Sequence, residues 1–430
     1  RISAVPDRRD TQSTLRDRGD TAVHTMGPRD TAVHAPVRYR DRSFTARTPN
    51  SPWNVGFREH AAHVRRILGI ILAVLLLGGV AAVLVTGGDK DTGTATKTVR
   101  GVIGSEKAEF FTDPQVVKAL AAKGFTVGTE TSGSWDMEEL PLDGYDFAFP
   151  SSKAPADGLR AKAAGKTKAT TAPLRPFYSP LVVVAHSAAA RVLAGNGLAT
   201  LGPRGTSGTL KMDAYLAAAR ADRTWQQLKG SAGHAELSGT LFITSTDPVA
   251  SNSGALYLAA ASYVADGGRV AGDEAAVTRT APLLRKLVQV QGAQQSGSDA
   301  PFRDFISGVG NPLVLVYESQ VAAQLLAGRP MGDLVVLYPD TTVSSDHTLV
   351  PLTENGRALG ELLSTDPELR KLVVRHGFRP QGAASEFTTA TQSHTAYLNQ
   401  TLTGVRQAPV PTGKVLHEMA LRARDQGDTA

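Results

Sequence analysis

The chain has 430 residues, with 46 Lys and Arg against 40 Asp and Glu, and a formal net charge of +6. It contains no cysteine, which excludes disulfides, thiolate metal sites and lipid attachment through cysteine. Residues 1–66 hold thirteen Arg and seven acidic residues, whereas residues 67–430 balance at 33 basic and 33 acidic. The basic character therefore belongs to the N-terminal segment, and the larger part of the chain gives no charge-based reason to bind nucleic acid.

Residues 1–66 are predicted to be a disordered basic tail, because they combine few aliphatic residues with frequent Arg, Asp and Thr. Within this tail, Asp20–His24 recurs ten residues later as Asp30–His34. Two polar copies are too few to build a repeat fold, so we interpret the tail as a solvated linker. The alternative is a linear motif for a cytoplasmic partner, with Thr21 and Thr31 as phosphate acceptors.

An uncharged run of nineteen residues, Ile67–Val85, follows the tail. As a helix it would span about 28 Å, close to the thickness of a bilayer core. Arg65 and Arg66 precede it, so the positive-inside rule keeps the tail cytoplasmic and places the rest of the chain outside. We therefore predict a single-pass cell-membrane protein with a transmembrane helix at 67–86, a linker at 87–98 and a large extracellular domain. A domain exported without disulfides suits a bacterial envelope.

Strands and helices are predicted to alternate after the linker. Thr98–Ile103, Phe125–Thr131 and Tyr145–Phe149 have the β-branched and aromatic content of strands, and between the first two a helix is predicted to run through Asp113-Pro114 and to stop at Gly124. This β-α-β-α-β order predicts an α/β fold with a parallel, doubly wound sheet.

Polar loops follow the carboxyl ends of these strands, where open parallel sheets bind ligands. The candidate ligand-binding residues from these loops are Ser105, Glu106, Lys107, Ser132, Ser134, Ser151 and Ser152. The alternative is that these side chains only cap the following helices, as any α/β domain requires.

A second group of strands is predicted at Leu181–His186, Leu241–Thr246 and Leu313–Glu318. Ser253 is predicted to be the N-cap of a helix over Ala255–Ala265 and to direct its positive end toward the preceding loop. Near the end of the chain, a helix over Pro367–His376 is predicted. Its signals are Asp366 as N-cap, Pro367 at the first position and Gly377 as the stop. The candidate ligand-binding residues of this part are Thr246, Asp247, Asn252, Ser253 and Tyr317.

Several short motifs together resemble a known family. They are Gly104–Lys107 with Phe110–Pro114, Thr246–Pro248 with Ser251–Gly254, Leu315–Glu318 and the closing Gly377–Pro380. In this order they resemble bacterial extracellular solute-binding proteins of the type 2 periplasmic binding fold, the superfamily of the molybdate- and phosphate-binding receptors. The resemblance covers residues 99–385.

The resemblance implies two doubly wound α/β lobes with a hinge, joined by crossing strands at Leu181–His186 and Leu313–Glu318. Lobe 1 would comprise residues 99–180 and 319–385, lobe 2 would comprise 181–318, and 386–430 would be a C-terminal extension. A small polar or anionic solute would be clamped between the lobes, without cofactor or metal, and an ABC importer permease would be the partner. The anchor and tail are departures from the usual receptor. Because of these departures, the alternative interpretation is an envelope signalling or scaffold module with the same fold.

Enzyme signals are missing from the sequence. It has no G-x-S-x-G elbow, no phosphate-binding P-loop and no complete G-x-G-x-x-G. Ser345-Asp346-His347 contains the residue types of a hydrolase triad, but adjacent residues cannot form the relay geometry. Glu106 and Asp247 are a candidate carboxylate pair across the cleft, although capping a helix or pairing with Lys107 is the better interpretation of each. The protein is therefore predicted not to be an enzyme.

Overall fold

The computed structural model describes residues 96–164 and 172–424, which all belong to one unit of the chain, Ile70–Ala430. The basic tail with its repeat and the predicted transmembrane run Ile67–Val85 lie outside the described residues. Within the described ranges, no helix is long and apolar enough to cross a membrane.

Twelve strands are described. They are β1 Lys97–Ile103, β2 Phe125–Thr131, β3 Phe147–Phe149, β4 Leu174–His186, β5 Ala199–Leu201, β6 Ser207–Leu210, β7 Leu313–Tyr317, β8 Leu334–Pro339, β9 Thr341–Thr342, β10 Ser344–Pro351, β11 Arg379–Pro380 and β12 Arg406–Gln407. The described α-helices are α1 Ala108–Thr112, α2 Pro114–Ala122, α3 Lys153–Ala163, α4 Ser187–Gly195, α5 Met212–Arg220, α6 Asn252–Ala265, α7 Glu274–Gln289, α8 Asp299–Ile306, α9 Glu318–Leu326, α10 Glu354–Thr365, α11 Pro367–Arg375, α12 Ala384–Ala390 and α13 Gly413–Arg424.

The first three strands form the parallel sheet that the sequence predicted. β1 pairs in parallel with β2 on one side and with β3 on the other, with Val99 opposite Val127 and Gly101 opposite Phe147. Beyond β3 the sheet becomes mixed, because β10 and then β4 pair antiparallel. We refer to this half of the sheet as lobe 1. The prediction of a purely parallel sheet therefore holds only for β1 to β3.

Strand β4 belongs to both halves of the sheet. Its residues from Leu174 to Pro180 pair with β10, and its residues from Leu181 to His186 pair with β7 and β8. The change of partner falls at Pro180, which has no N–H to donate to a ladder. β4 is therefore the first connection between lobe 1 and the second half of the sheet, lobe 2, which contains β5 to β8.

The second connection between the lobes is the run β8–β9–β10. The prediction that Leu313–Glu318 would be this connection is wrong. β7 pairs only with the lobe 2 part of β4, whereas β8 pairs with that part and β10 pairs with the lobe 1 part. Leu313–Tyr317 has the apolar composition of a crossing strand, but composition does not specify which strand it will pair with. Residues 334–339 thus extend lobe 2 beyond the predicted limit at residue 318.

Apolar side chains cover both faces of the lobe 2 sheet. Leu181, Val183 and Ala185 face one hydrophobic core, and the alternate residues Val182 and Val184 face another. This alternation follows from the two-residue period of a strand, so a continuous apolar run is buried on both sides.

Local helix signals were read correctly at α11, whereas the helix predicted to run through Asp113-Pro114 is divided there into α1 and α2. Asp113 caps α2 by accepting from the Gln115 N–H at 2.7 Å. Asp366 caps α11 by accepting from the N–H groups of Glu368 and Leu369 at 3.0 Å. The predicted stop at Gly377 is confirmed by its left-handed φ of +80°.

Two predictions in lobe 2 are wrong. Leu241–Thr246 contributes a single parallel bridge between Thr244 and Val314 instead of a regular strand. Helix α6 begins at Asn252 with Ser251 as its N-cap, so Ser253 lies inside the first turn. The run of polar residues 251–253 offered several equivalent cap positions, and the sequence could not separate them.

The C-terminal extension packs into the domain. Strand β12 pairs with β9 near the connection between the lobes. In α13, the side chains of Leu416, Met419 and Ala423 are buried in the core that also contains α6 and α7. The N-terminal end of the same helix reaches lobe 1, where the rings of Trp135 and His417 lie 6.2 Å apart.

Candidate functional site

Three lobe 1 loops bring polar side chains to one edge of the sheet. A 3-10 turn, Ser105–Lys107, follows β1, and Ser134 and Ser151 follow β2 and β3. Ser134 Oγ donates to Ser151 Oγ at 3.2 Å and accepts from the Ser151 N–H at 3.0 Å. The loops meet because the carboxyl ends of adjacent parallel strands lie at the same edge.

A charged group lies at the centre of this edge. The Ser151 hydroxyl donates to Glu106 Oε1 at 2.6 Å, and the Lys107 ammonium donates to the same oxygen. Lys107 Nζ also lies 3.3 Å from Ser151 Oγ and 3.2 Å from His347 Nδ1. The side chains of Lys107 and His347 are 0% exposed and that of Glu106 is 5% exposed. This arrangement is a buried ion pair with a hydroxyl and an imidazole around it.

The protonation of this group follows from burial and charge. Burial alone would raise the pKa of Glu106, but the charge of Lys107 and a hydrogen bond from His347 hold it below its ordinary value. Burial, followed by the charge of Lys107, lowers the pKa of His347 to about 4. Burial also lowers the pKa of Lys107, and the charge of Glu106 opposes that effect. Lys107 and Glu106 thus stabilise each other's charged forms, and His347 is uncharged at neutral pH.

On the lobe 2 side, a loop folds back onto the first turn of α6. Thr246 Oγ1 and Ser253 Oγ lie 2.8 Å apart, and the Gly254 N–H donates to Thr246 Oγ1 at 2.9 Å. A Cβ on Gly254 would lie 2.3 Å from the Thr246 carbonyl oxygen, so only glycine permits this approach. Thr246 and Ser253 thus hold the loop against the helix and bond to each other.

Asn252 joins the two lobes. Its Nδ2 donates to Tyr317 OH and to Ser345 Oγ, each at 3.1 Å, and its Oδ1 accepts from the Ser152 hydroxyl of lobe 1. All four side chains are buried. Nearby, the backbone N–H of Trp135 in lobe 1 donates to the Ala250 carbonyl at 3.0 Å. We call the buried region between these contacts and the Glu106–Lys107 pair the cleft.

The structure brings most of the sequence-predicted site residues together in this cleft and separates others from it. The residues with interlobe or central contacts are Glu106, Lys107, Ser134, Ser151, Ser152, Asn252 and Tyr317. Ser105 also faces lobe 2, because a Cβ on Gly297 would lie 2.7 Å from its Oγ.

Three other predicted residues are placed differently. Ser132 is half-buried, and its N–H donates to the Ile103 carbonyl at 3.0 Å. Asp247 accepts from the Val249 N–H at 3.0 Å and pairs with Arg424 at 3.1 Å, so it does not form a carboxylate pair with Glu106. Ser253 is turned toward its own loop, as described above. The hydroxyl-bearing loops thus supply both cleft groups and local caps.

Sequence reasoning missed two cleft residues on β10. Ser345 and His347 point to the cleft side of the strand, while Asp346 between them points away and receives Arg175 and Gln381. Because side chains alternate along a strand, residues two apart share a face. Polar residues at i and i+2 in a strand were therefore the available signal, and the triad reading was rightly rejected.

Lobe 2 contributes a further missed segment at the start of α8. Ser298 is 2% exposed, and its Oγ has no hydrogen-bond partner among the described residues, which is also true of Ser105 Oγ. Asp299 is the next residue, and burial followed by the negative charge of Glu106 raises the pKa of its carboxyl group. Within the described ranges, no group of three or more acidic, His or Cys side chains could hold a metal ion.

Known structures share this fold. The periplasmic binding protein AfuA from Actinobacillus pleuropneumoniae, with bound fructose-6-phosphate, is 11% identical, with a TM-score of 0.50 over 77% of this chain and 97% of that chain. A periplasmic thiamin-binding protein is 12% identical, with a TM-score of 0.49 over 79% and 100% of the two chains. The sulfate-binding protein SubI from Mycobacterium tuberculosis is 17% identical, with a TM-score of 0.45 over 75% and 96%.

No protein-family model matches the chain, and no curated protein sequence matches it. At these identities the structural similarity shows the fold alone. The described part of the chain has the α/β fold of the type 2 periplasmic binding proteins, as the sequence motifs indicated.

Proposed function

We propose that the protein is a membrane-tethered extracellular solute-binding protein that clamps a small polar solute between its two lobes. The observation that carries this proposal is the set of buried polar side chains that both lobes contribute to the cleft. Binding sites for small solutes combine a few such polar side chains that orient the solute, and here both lobes supply them.

The connection between the lobes is suited to hinge bending. In the described part of the chain, β4 and the run β8–β10 cross from one half of the sheet to the other, and the C-terminal extension makes a third connection from β11 in lobe 1 to α13 in the lobe 2 core. Opening would expose Ser152 and Asn252 to water, and closing onto a solute would exchange that water for hydrogen bonds to the solute. Binding of this kind requires no covalent chemistry, in agreement with the non-enzyme prediction.

The anchor and its orientation belong to the same proposal. The run Ile67–Val85 would hold the domain at the cell surface, and an ABC importer permease would receive the solute. Protease added to intact cells should remove the large domain and leave the first 60 residues intact. Cleavage of the tail under these conditions would reverse the orientation.

One observation favours the alternative of a signalling or scaffold module. The Ser152 hydroxyl donates to Asn252 Oδ1 across the lobes, and Asn252 Nδ2 donates to Ser345 Oγ of β10 in lobe 1. These contacts close the cleft without help from a solute. A module of this kind would keep the same radius of gyration when solutes are added, whereas a receptor would contract.

The direct test is a thermal-shift screen of the full chain in detergent against neutral sugars, amino acids, oxyanions and short peptides. A bound solute stabilises the folded state by RT ln(1 + L/Kd), where L is its free concentration, and therefore raises the melting temperature as L exceeds Kd. Asn252→Ala should then weaken the identified solute by about tenfold or more, because it removes contacts to both lobes. Ser364→Ala is the matched control, since its hydroxyl bonds only to the Gly360 carbonyl of its own helix.

A further inference from the structure

Glu106 places a negative charge in the cleft, where an anionic solute would have to bind. Its carboxylate oxygen Oε1 accepts from Ser151 and Lys107 and lies 3.4 Å from His347 Nδ1. A hydroxyl, an ammonium and an imidazole are the donors that proteins use for sulfate or phosphate. In this protein, the carboxylate of Glu106 already occupies the position between these donors.

Lys107 is consequently not available as a free cation. Its side chain is 0% exposed, its ammonium is bonded to Glu106, and it lies 5.0 Å from the centre of the Phe149 ring. His347 supplies no compensating charge, because it is neutral at physiological pH. The centre of the cleft therefore has one positive and one negative charge, and these two charges cancel.

A second carboxyl group makes the balance negative. Asp299 lies near enough to Glu106 for its charge to be felt, and the exposed Glu109 adds to the effect. The nearest cation to Asp299 is Arg303, at 3.6 Å, whose side chain is 72% exposed and therefore strongly screened. Among the described cleft residues, the buried groups without a partner are the hydroxyls of Ser105 and Ser298 and the Nε2 atom of His347, and uncharged groups of this kind suit a neutral solute equally well.

We propose that Glu106 acts as a resident counterion that excludes free oxyanions, so that the cleft selects polar solutes without negative charge, such as polyhydroxyl compounds. This inference rests on the proposed solute-binding function and narrows its ligand class. It also implies that replacing Glu106 by a neutral residue converts the site into one for oxyanions, because Lys107, Ser151 and the adjacent loops would then be free to bind one.

The test measures the response of the full chain in detergent to sulfate, with melting temperature and titration calorimetry as readouts. Wild type is expected to show no sulfate-dependent stabilisation up to about 10 mM beyond that of Glu361→Gln, a control at an exposed acid of α10 that reports general salt effects. Glu106→Gln should be stabilised by sulfate, with a Kd at least about tenfold lower than that of wild type. Adding Lys107→Gln to Glu106→Gln should abolish the gain.

Specific stabilisation of wild type by sulfate would overturn the inference, and so would a Glu106→Gln variant that folds and ignores sulfate. If Glu106→Gln does not fold, Glu106→Ser offers Lys107 a hydroxyl partner and repeats the comparison. Failure of the proposed function has a different signature. In that case wild type would respond to no solute of the screen, while the variant would still gain its response to sulfate.

Discussion

At the scale of single residues, a buried ion pair contributes strongly to the stability of this fold. Arg379 and Glu318 form an ion pair whose side chains are 3% and 0% exposed, with Nε and Oε2 2.6 Å apart. Tyr338 OH donates to the same carboxylate at 2.5 Å, and Arg379 also donates to the carbonyls of Asn399 and Gln400 at 2.8 and 2.6 Å. The pair therefore fastens the C-terminal segment to lobe 2.

Arg379→Met is expected to lower the free energy of unfolding by about 3–5 kcal/mol, because it leaves a buried carboxylate and two carbonyls without their partner. Urea denaturation of the full chain measures this loss. Arg100→Met is the control, since Arg100 and its partner Glu130 are 49% and 41% exposed. Exposed pairs contribute under about 1 kcal/mol, so equal losses in the two variants would contradict the argument.

Asp299 makes stability depend on pH. Burial, and then the charge of Glu106, raises its pKa from 3.8 to about 6. An acid with a raised folded-state pKa favours the folded state only while it is protonated, so its contribution is lost as the pH rises from about 4 to about 6. Asp299→Asn should therefore match wild type near pH 4 and be more stable than wild type near pH 7.5.

Denaturation curves at the two pH values test this expectation. Asp304→Asn, on the exposed side of the same helix, controls for general effects of removing a negative charge. If Asp299→Asn gives the same change in unfolding free energy at both pH values, Asp299 does not ionise in this window. The pKa argument would then fail.

At the scale of elements, α13 shows that the C-terminal extension is part of the core of lobe 2. Met419 and Leu416 are each 1% exposed, whereas Leu421 in the same helix is 44% exposed. Leu416→Ala is expected to cost about 2–5 kcal/mol, through lost burial and the cavity that remains. Leu421→Ala should cost under about 0.5 kcal/mol. Chemical denaturation of both variants makes the comparison, and similar losses would show that α13 is not docked as described.

Elements specified by local signals could be predicted from the sequence. The Asp-Pro start of α11 and the stop at Gly377 need only neighbouring residues, and β1 to β3 follow from a repeated strand–helix pattern. The central Glu106–Lys107 position was also accessible, because it follows directly from the first strand and its loop.

Elements specified by distant partners could not be predicted in this way. Whether Leu313–Tyr317 or Ser344–Pro351 crosses between lobes depends on which part of β4 each one pairs with. His347 enters the cleft from a strand that is distant in sequence from Lys107, and no local pattern relates the two. The sequence therefore predicted the cleft residues that lie on loops, and it missed Ser345 and His347 on strand β10.

For the whole molecule, the shared strand predicts cooperative unfolding. β4 is hydrogen-bonded in both lobes, and Val374 and Phe387 from the C-terminal helices pack in one core with Val182 and Val184. Neither lobe can lose its sheet without exposing a core of the other. Calorimetry of the unfolding transition of the described domain should give one peak with equal calorimetric and van't Hoff enthalpies.

Two core substitutions sharpen this test, one in each lobe. Phe147→Ala in lobe 1 and Leu284→Ala in lobe 2, both 0% exposed, should lower the same single transition. Two peaks, each sensitive to one substitution only, would mean that the lobes unfold independently.

The path of the chain through the lobes also constrains how the protein is made. Lobe 1 begins with β1 and is closed by β10, while the lobe 2 core that receives Leu181 early is completed only by Met419 of α13. A growing chain therefore lacks the closing strand of lobe 1 until residue 351 has emerged, and lobe 2 is incomplete until residue 424 has emerged. During synthesis its exposed apolar strands, β4 above all, have no finished partner to pair with. Such a chain is expected to depend on a holding chaperone, and nascent forms that end before α13 should be the species that such a chaperone retains.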